Sequence, residues 1–211
     1  MSDSFLDRLA AVGTDILHIG AESGSDRMLD LMHKDCTADD IIKCNLKIAR
    51  HPGIVAAYNF LIGLPTETIK DLMSTKDLML RLVKDNRNCI IFPPNRYRPV
   101  PGTELFEMVQ REWGYKVPDT LDDWTRIELE GDYSTPWCTG KNKRYCNMLF
   151  ITSYFVDNKV GKLLQSRSLF YKILRFINAI YRPIALFRLR YGIYHIMFEY
   201  RVYKLVKCII K

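Results

Sequence analysis

Residues 18–35 read HIGAESGSDRMLDLMHKD, and the parsing of that stretch decides the fold. An apolar run, Asp15–Gly20, passes into Gly-Ala-Glu-Ser-Gly-Ser and then into a segment of helix-forming residues. A buried strand, a loop of small residues and a helix make half of a βα unit. The oddity is Glu22, a carboxylate at the exit of the strand among residues too small to shield it. A buried carboxylate is costly unless something pairs with it. Either this turn is solvated, or Glu22 faces a ligand.

Working outward, the same alternation recurs. FLDRLAAVG, residues 5–13, reads as the end of a helix with Gly13 as its stop. Ser25 is placed to cap a short helix through Met32, and Thr37 with Asp40 forms a near capping box for a longer one, residues 37–50. Gly53 turns the chain into IVAAYNFLIGLP, residues 54–65, a continuous apolar run of the kind seen in parallel strands covered on both faces. Thr66 opens the next helix, where Ile69, Leu72, Met73, Leu78, Met79, Leu82 and Val83 form an apolar stripe. CIIFPPNRYRPVPGTELFE, residues 89–107, is a third strand with a proline-rich exit, followed by a helix to about Val109. Within its strand, His18 reads as a core histidine with one satisfied nitrogen.

Strands alternating with helices imply right-handed βαβ units and a parallel sheet, an α/β fold. Ligands meet such sheets at the carboxyl ends of the strands. Here those ends are GAESGS, IGLPTET and YRPVPGT, each rich in Gly, Pro and small polar residues. Three strands make neither a closed barrel nor an open sheet with protected edges, so this portion reads as incomplete.

The 211 residues are 48% hydrophobic and 26% charged, which excludes wholesale disorder. The net charge of +7 is confined to one end. From Lys159 onward there are 12 Lys/Arg against one acidic residue, Glu199, whereas residues 1–158 hold 19 Lys/Arg against 23 Asp/Glu. The opening MSDSFLDRLAAVG lacks an apolar signal region, which points to a reducing cytoplasm with free thiols. Cysteines stand at 36, 44, 89, 138, 146 and 208, and no spacing is CxxC or CxxxCxxC, so no metal site is expected within the chain. Cys138 and Cys146 are either a redox pair, partners in a metal site, or two unrelated thiols near a loop. GAESG is not a G-x-S-x-G nucleophile elbow, and there is no HExxH, P-loop or dinucleotide glycine fingerprint.

Three ordered blocks carry a resemblance: GAESGSDRMLDLMHKDCTADD (20–40), NFLIGLPTETIKDLMST (59–75) and YRPVPGTELFE (97–107). Together they resemble the radical S-adenosylmethionine enzymes, most closely the subgroup with an N-terminal cobalamin-binding domain. The resemblance covers roughly residues 5–125, including VPDTLDDW, and the ending RLRYGIYHIMFEYRVYKL is similar to the C-terminal extension of these proteins. It implies the C-terminal half of a partial TIM-like barrel over 1–125, an irregular connector over 126–161 and a basic amphipathic helical extension over 162–211. It also implies S-adenosylmethionine, a 4Fe-4S cluster and, in that subgroup, cobalamin. The family cleaves S-adenosylmethionine reductively to a radical used for methylation, cyclisation or rearrangement. The cluster needs three cysteines, normally in a CxxxCxxC motif that this chain does not carry, so no tight cofactor binding is expected without an N-terminal half supplied in cis or in trans.

By the same resemblance, Glu22 and Ser23 fall where the family holds the ribose or methionyl part of the cofactor, Gly24 allows close backbone approach, and Ser25 caps the helix. Leu61, Ile62 and Gly63 match an adenine-contacting strand. Lys34 matches basic residues that reach the cofactor carboxylate in some relatives, or is a solvated lysine. Tyr97 lies against the cofactor or is a barrel-rim tyrosine. Glu67 is read structurally, as a negative charge at a helix start. No residue is assigned a catalytic role.

In the tail, Phe170, Ile173, Leu174, Ile177 and Tyr181 fall on one helical face, Pro183 interrupts the pattern, and Val202, Leu205, Val206 and Ile209 continue it opposite Lys204, Lys207 and Lys211. The longest charge-free run, YGIYHIMF, is far too short to cross a membrane. Such a tail suits an anionic membrane surface, a packing face for the rest of a larger protein or a partner, with nucleic acid the least favoured. The expected location is cytoplasmic, peripheral at the inner face of the membrane.

Overall fold

The computed structural model describes residues 1–124, 135–157, 169–196 and 198–203; of 169–171, 173 and 174 it describes the backbone alone. Helix α1 (Asp3–Ala11) leads into strand β1 (Ile16–Glu22), a short helix α2 (Asp26–Leu31), helix α3 (Ala38–Ile48) and strand β2 (Val55–Ile62). Helix α4 (Ile69–Asp85), strands β3 (Cys89–Ile91) and β4 (Asn95–Arg96) and helix α5 (Glu104–Trp113) follow. Helices α6 (Gly140–Ser153) and α7 (Leu169–Tyr191) belong to the later part of the chain. The α/β expectation holds, with a parallel sheet and a mostly helical remainder.

Strand β2 is the centre of the sheet. Ile16 lies opposite Val55 and Gly20 opposite Asn59 on one side, and Cys89–Ile91 lie opposite Ala56–Tyr58 on the other, all parallel. β4 continues the third strand: Asn95 and Arg96 pair with Leu61 and Ile62. Pro93 and Pro94, which have no N–H to give the ladder, separate the two pieces. The ladder is nevertheless kept on both sides of them, since Phe92 N donates to Tyr58 O at 2.9 Å and Tyr97 N to Ile62 O at 2.8 Å.

One face of β2 packs on the helices: Ala56, Tyr58, Phe60 and Ile62 are fully buried with Leu72, Met79 and Leu82 of α4 and Ile48 of α3. The opposite face is not covered as the continuous apolar run suggested. Ala57 is buried there, but Val55, Asn59 and Leu61 are half-buried, and β1 alternates between exposed and half-buried until Ala21. β1 pairs only with β2 among the described residues, so its outer edge and one face stay open. His18 accordingly is not a core histidine; it is exposed and stacks on Phe92, ring centroids 5.6 Å apart.

Two further local expectations change. Met73 is 45% exposed, and the stripe of α4 is completed instead by Thr75 and the stem of Lys76. Helix α4 begins two residues later than Thr66 suggested: Thr68 is the N-cap, in a full capping box with Asp71. The box predicted at Thr37 and Asp40 is present, and Gly13 follows the end of α1 at φ 83°.

The segment 126–161, expected as an irregular connector, contains α6, whose residues Tyr145–Ile151 include Cys146, Met148 and Leu149 in the same core as the sheet helices. The second half of α6, from Tyr145, is buried on nearly every side, and such a segment shows no amphipathic stripe for sequence periodicity to find. Pro183 does not break α7, which runs through it. Ile177 and Tyr181, about 40° apart on the helix, differ in surroundings: Tyr181 bonds Glu199 while Ile177 is 52% exposed. Phe170, Ile173, Leu174, Leu205, Val206, Ile209, Lys204, Lys207, Lys211 and Cys208 lie outside the described side chains. No helix among the described residues is long and apolar enough to cross a membrane.

The β1 exit is tied to the start of α4. Ser23 Oγ lies 3.2 Å from Thr75 Oγ1, and Gly24 N donates to Thr75 Oγ1 at 3.0 Å. Ser25 occupies the N-cap position of α2 without capping it; its hydroxyl donates to Asp71 Oδ1 at 2.6 Å instead. Arg27 donates to Asp71 Oδ2 at 2.6 Å and to Thr66 O at 2.9 Å. Burial would raise the pKa of Asp71, but hydrogen bonds from Arg27, Ser25 and Thr68 outweigh it and hold the carboxyl well below the usual range. A carboxyl depressed in this way stabilises the fold above about pH 4 and loses that contribution as the pH falls toward its folded pKa. Asp71→Ala is therefore expected to cost about 2–3 kcal/mol in urea unfolding, from the lost cap and the stranded hydroxyls. Arg27→Ala, at a half-exposed partner, should cost under about 1 kcal/mol. Asp71→Asn should flatten the acid limb of stability against pH.

Candidate functional site

The three strand ends converge as the βα order requires, and a cleft of about 410 Å³ opens among Glu22, Leu31, Lys34, Leu61, Tyr97 and Val100, with Met32, His33, Thr103, Glu104 and Leu105 completing its wall. β1 contributes Glu22 through a register shift between Gly20 and Glu22. Glu22 sits at φ 56°, a left-handed conformation that an L side chain seldom adopts. Its carboxylate folds back over Gly20, where a Cβ would lie 2.3 Å from Glu22 Oε1. Gly20 is thus the residue that makes room for the carboxylate. Lys34 Nζ lies 3.4 Å from Glu22 Oε1, and the Glu22 side chain is 20% exposed.

That answers how the chain tolerates Glu22: it is neither solvated nor buried alone, but paired at the rim of a cleft. His33, the residue before Lys34, is also left-handed at φ 52°. Its Nε2 lies 2.7 Å from Glu104 Oε2, and the hydrogen bond and charge of Glu104 raise its pKa. Backbone strain of about 1–3 kcal/mol per residue persists only where the surroundings enforce it, and of the three left-handed non-glycine residues among the described residues two line this cleft.

Tyr97 forms the far wall. It is 8% exposed, its hydroxyl has no hydrogen-bond partner, and burial pushes its pKa up to about 12. Its ring meets Trp137 edge-on at 6.2 Å. Trp137 also touches Trp113 and Tyr115, and its Nε1 donates to Gly63 O at 2.9 Å. This indole, from a segment expected to be irregular, braces the end of β2 from behind.

The structure brings together four of the eight sequence-predicted positions: Glu22, Lys34, Leu61 and Tyr97. The other four face elsewhere. Ser23 is buried against Thr75. At Gly24 a Cβ would lie 2.2 Å from Ser74 O, so the close approach that needs glycine here is to the α4 backbone. Ile62 is fully buried on the helix side of β2. Gly63, at φ 74°, makes a turn over Cys138, whose Sγ would be 3.5 Å from a Cβ.

Glu67 is structural, by a route different from the helix-start charge. Its Oε2 accepts from Gly63 N at 2.6 Å and from Leu64 N at 3.3 Å, which clamps the β2 exit. Its Oε1 is buried without a hydrogen-bond partner. Burial, only partly offset by the Gly63 and Leu64 amides, pushes its pKa up to about 8. Below this turn Cys138 and Cys146 are brought together, Sγ to Sγ 3.8 Å, and their contact draws Cys138 down and Cys146 up. They are not unrelated thiols. Among the described residues no three His, Cys, Asp or Glu side chains converge as a metal site.

His33, Thr103, Glu104, Val100 and Leu105 were not singled out as site residues. Thr103 had a signal, since it precedes a helix in the third strand-end loop and caps α5 through Phe106 N. His33 had none, because its left-handed turn carries no glycine or asparagine.

No family model matches the chain. It is 33% identical over 93 residues to the tRNA-2-methylthio-N(6)-dimethylallyladenosine synthase of Moorella thermoacetica, 44% of this chain and 20% of that protein. The enzyme of the same name from Vibrio parahaemolyticus is 30% identical over 127 residues, 56% of this chain and 27% of that protein. That of Myxococcus xanthus is 30% identical over 118 residues, 54% and 24% respectively. The chain therefore spans from one fifth to about one quarter of the length of these curated relatives.

The raised Glu67 carboxyl has a signed consequence. Protonated, it is at ease in its site; as the pH rises from its unfolded value of about 4 through about 8 it must ionise while buried, and stability falls across that window. Glu67→Gln keeps an acceptor for Gly63 N and removes the titration. Thermal unfolding should show the wild type losing stability between pH 5 and pH 9 relative to the variant; parallel curves would contradict the assignment.

Proposed function

We propose that this chain supplies the C-terminal half of a radical S-adenosylmethionine barrel and that its strand-end cleft receives S-adenosylmethionine. The observation that carries the reading is the strained Glu22, paired with Lys34 across a cleft that Tyr97 walls, three residues from separate parts of the chain around one site. The donor set suits that ligand. Glu22 can accept from an ammonium or from ribose hydroxyls, and Lys34 can pair with a carboxylate. Tyr97 lends its ring to the wall, and Leu31, Leu61 and Val100 offer apolar surface for a base. When bound beside a 4Fe-4S cluster, this cofactor supplies the radical initiator of the family. The part of this chain is to bind and orient it.

The cluster itself does not fit the described residues. Cys138 and Cys146 are two buried thiols in mutual contact, with no third ligand converging on them. Cluster ligands would come from a further segment, in cis or in trans. The open face of β1 and half-buried face of β2 suit the lumen side of a barrel whose remaining strands lie on that segment. Methylation, cyclisation and rearrangement are the reaction classes this reading carries. A cobalamin domain gains no support from the named relatives, and the reading does not depend on one. A tRNA substrate does not follow either, because the match spans at most 27% of those relatives. A basic module with no catalytic role would have no use for strain at Glu22, which is why the enzyme reading is preferred.

Ligand-observed saturation-transfer NMR at millimolar S-adenosylmethionine tests this. Transfer to the adenine and methionyl protons is expected with the wild type. Glu22→Ala and Lys34→Ala should each weaken it about five- to tenfold, the loss of one charge-assisted contact. No transfer, or transfer indifferent to both substitutions, would overturn the reading.

A further inference from the structure

Helix α7 presents two faces, and among the described residues only one of them has a partner. Ala185, Arg188 and Leu189 are buried against the rest of the chain. Lys76 of α4 ties the helix down through Arg190 O at 3.4 Å, and Arg188 is locked in an ion pair with Glu199 that also engages Tyr181. At 100° per residue, Phe176, Phe187, Ile180, Tyr191, Ile184 and Ile177 fall, in that angular order, within an arc of about 100°. All six lie in solvent, between 49% and 67% exposed. An unbroken apolar arc four turns long is not the scattered surface hydrophobicity of an ordinary monomer.

The charges around it are of one sign. Lys172 and Arg190 are exposed and fall together along one border of the arc, about 40° beyond Phe176, and the helix has no acidic residue from Leu169 to Tyr191. Glu199, the single carboxylate after Lys159, is taken up by Arg188 and Tyr181. An apolar arc bordered by cations, parallel to the surface on a helix that cannot span a bilayer, matches the interface of an anionic lipid layer: side chains enter the acyl boundary and cations meet headgroup phosphates. A nucleic-acid backbone would satisfy the cations and leave three isoleucines in water. A second copy would bring the same positive border against itself.

We infer that the Phe176–Tyr191 face of α7 is a docking surface for anionic membrane, by which the chain lies on the bilayer without crossing it. The inference is independent of the cofactor proposal, and its failure would leave that proposal untouched.

The test is co-sedimentation of the full chain with phosphatidylcholine vesicles, with and without phosphatidylglycerol, at low and high salt. Expected is binding to the phosphatidylglycerol vesicles, reduced by salt and reduced at least about tenfold by the paired substitution Ile180→Ser, Phe187→Ser, which removes two buried apolar side chains from the interface. Both positions are exposed, and an unchanged circular dichroism spectrum would show that the variant folds. A second, charge-directed variant, Lys172→Ala with Arg190→Ala, should abolish the preference for phosphatidylglycerol. Three results would overturn the inference: no binding to either vesicle, binding indifferent to the Ile180/Phe187 pair, or a dimer in sedimentation equilibrium that the same pair dissolves.

Discussion

The hydrogen-bonded carboxylate of Asp71 is the constraint on which the site's geometry rests. One oxygen takes the Ser25 hydroxyl, the other takes Arg27 and the Thr68 hydroxyl and amide. Those partners come from the loop after β1 and the loop before α4. A single side chain therefore fixes two of the three strand ends relative to each other. Arg27 extends the tie to Thr66 O, and so holds the third left-handed non-glycine residue, Thr66 at φ 61°, in place. Directly behind, Gly24 lies so close to Ser74 that no side chain fits. With the β1 exit pinned this firmly, Glu22 has little freedom, and its strained backbone is enforced by neighbours rather than by its own preference.

The parts of this arrangement differ in how visible they are along the chain. The βα order, the parallel pairing and the two glycine turns at Gly13 and Gly53 follow from local patterns, because apolar runs and glycines act over a few residues. Glu22 stood out for the same reason, as a charge in the wrong company. What stayed hidden depends on distant partners. Ser25 has every mark of a helix cap, yet Asp71, 46 residues away, takes its hydroxyl. Ser23 and Gly24 look like ligand contacts in a loop of small residues, and their smallness serves α4 instead. Ile62 and Leu61 are adjacent, and only the pairing register decides that one enters the core and the other the cleft. His18 looked like core because an apolar strand reads as buried whether or not a neighbouring strand exists to bury it.

Helix α6 and Trp137 show a further limit. A helix enclosed by other elements carries no stripe, and a tryptophan in a loop carries no sign of the carbonyl it will reach. Yet Trp137 closes the back of the β2 turn, and Glu67 clamps the same turn from the side. The buried Glu67 carboxyl, the Cys138 thiol and the Trp137 indole all lie against Gly63, so Gly63 is a structural pivot beneath the cleft rather than part of its lining. The open face of β1 and the exposed arc of α7 contrast with α6, whose second half is enclosed.

The central claim is that the strand-end cleft is a cofactor site assembled by these ties. The most direct measurement is the amide chemical-shift map of the labelled chain titrated with S-adenosylmethionine. The account predicts that shifts concentrate at Glu22, His33–Lys34, Leu61 and Tyr97–Leu105, while Gly24, Ser74 and Thr75, buried against each other on the helix side, stay unmoved. Shifts centred on Ser23–Gly24 and α4, or spread without focus over the basic tail, would contradict it.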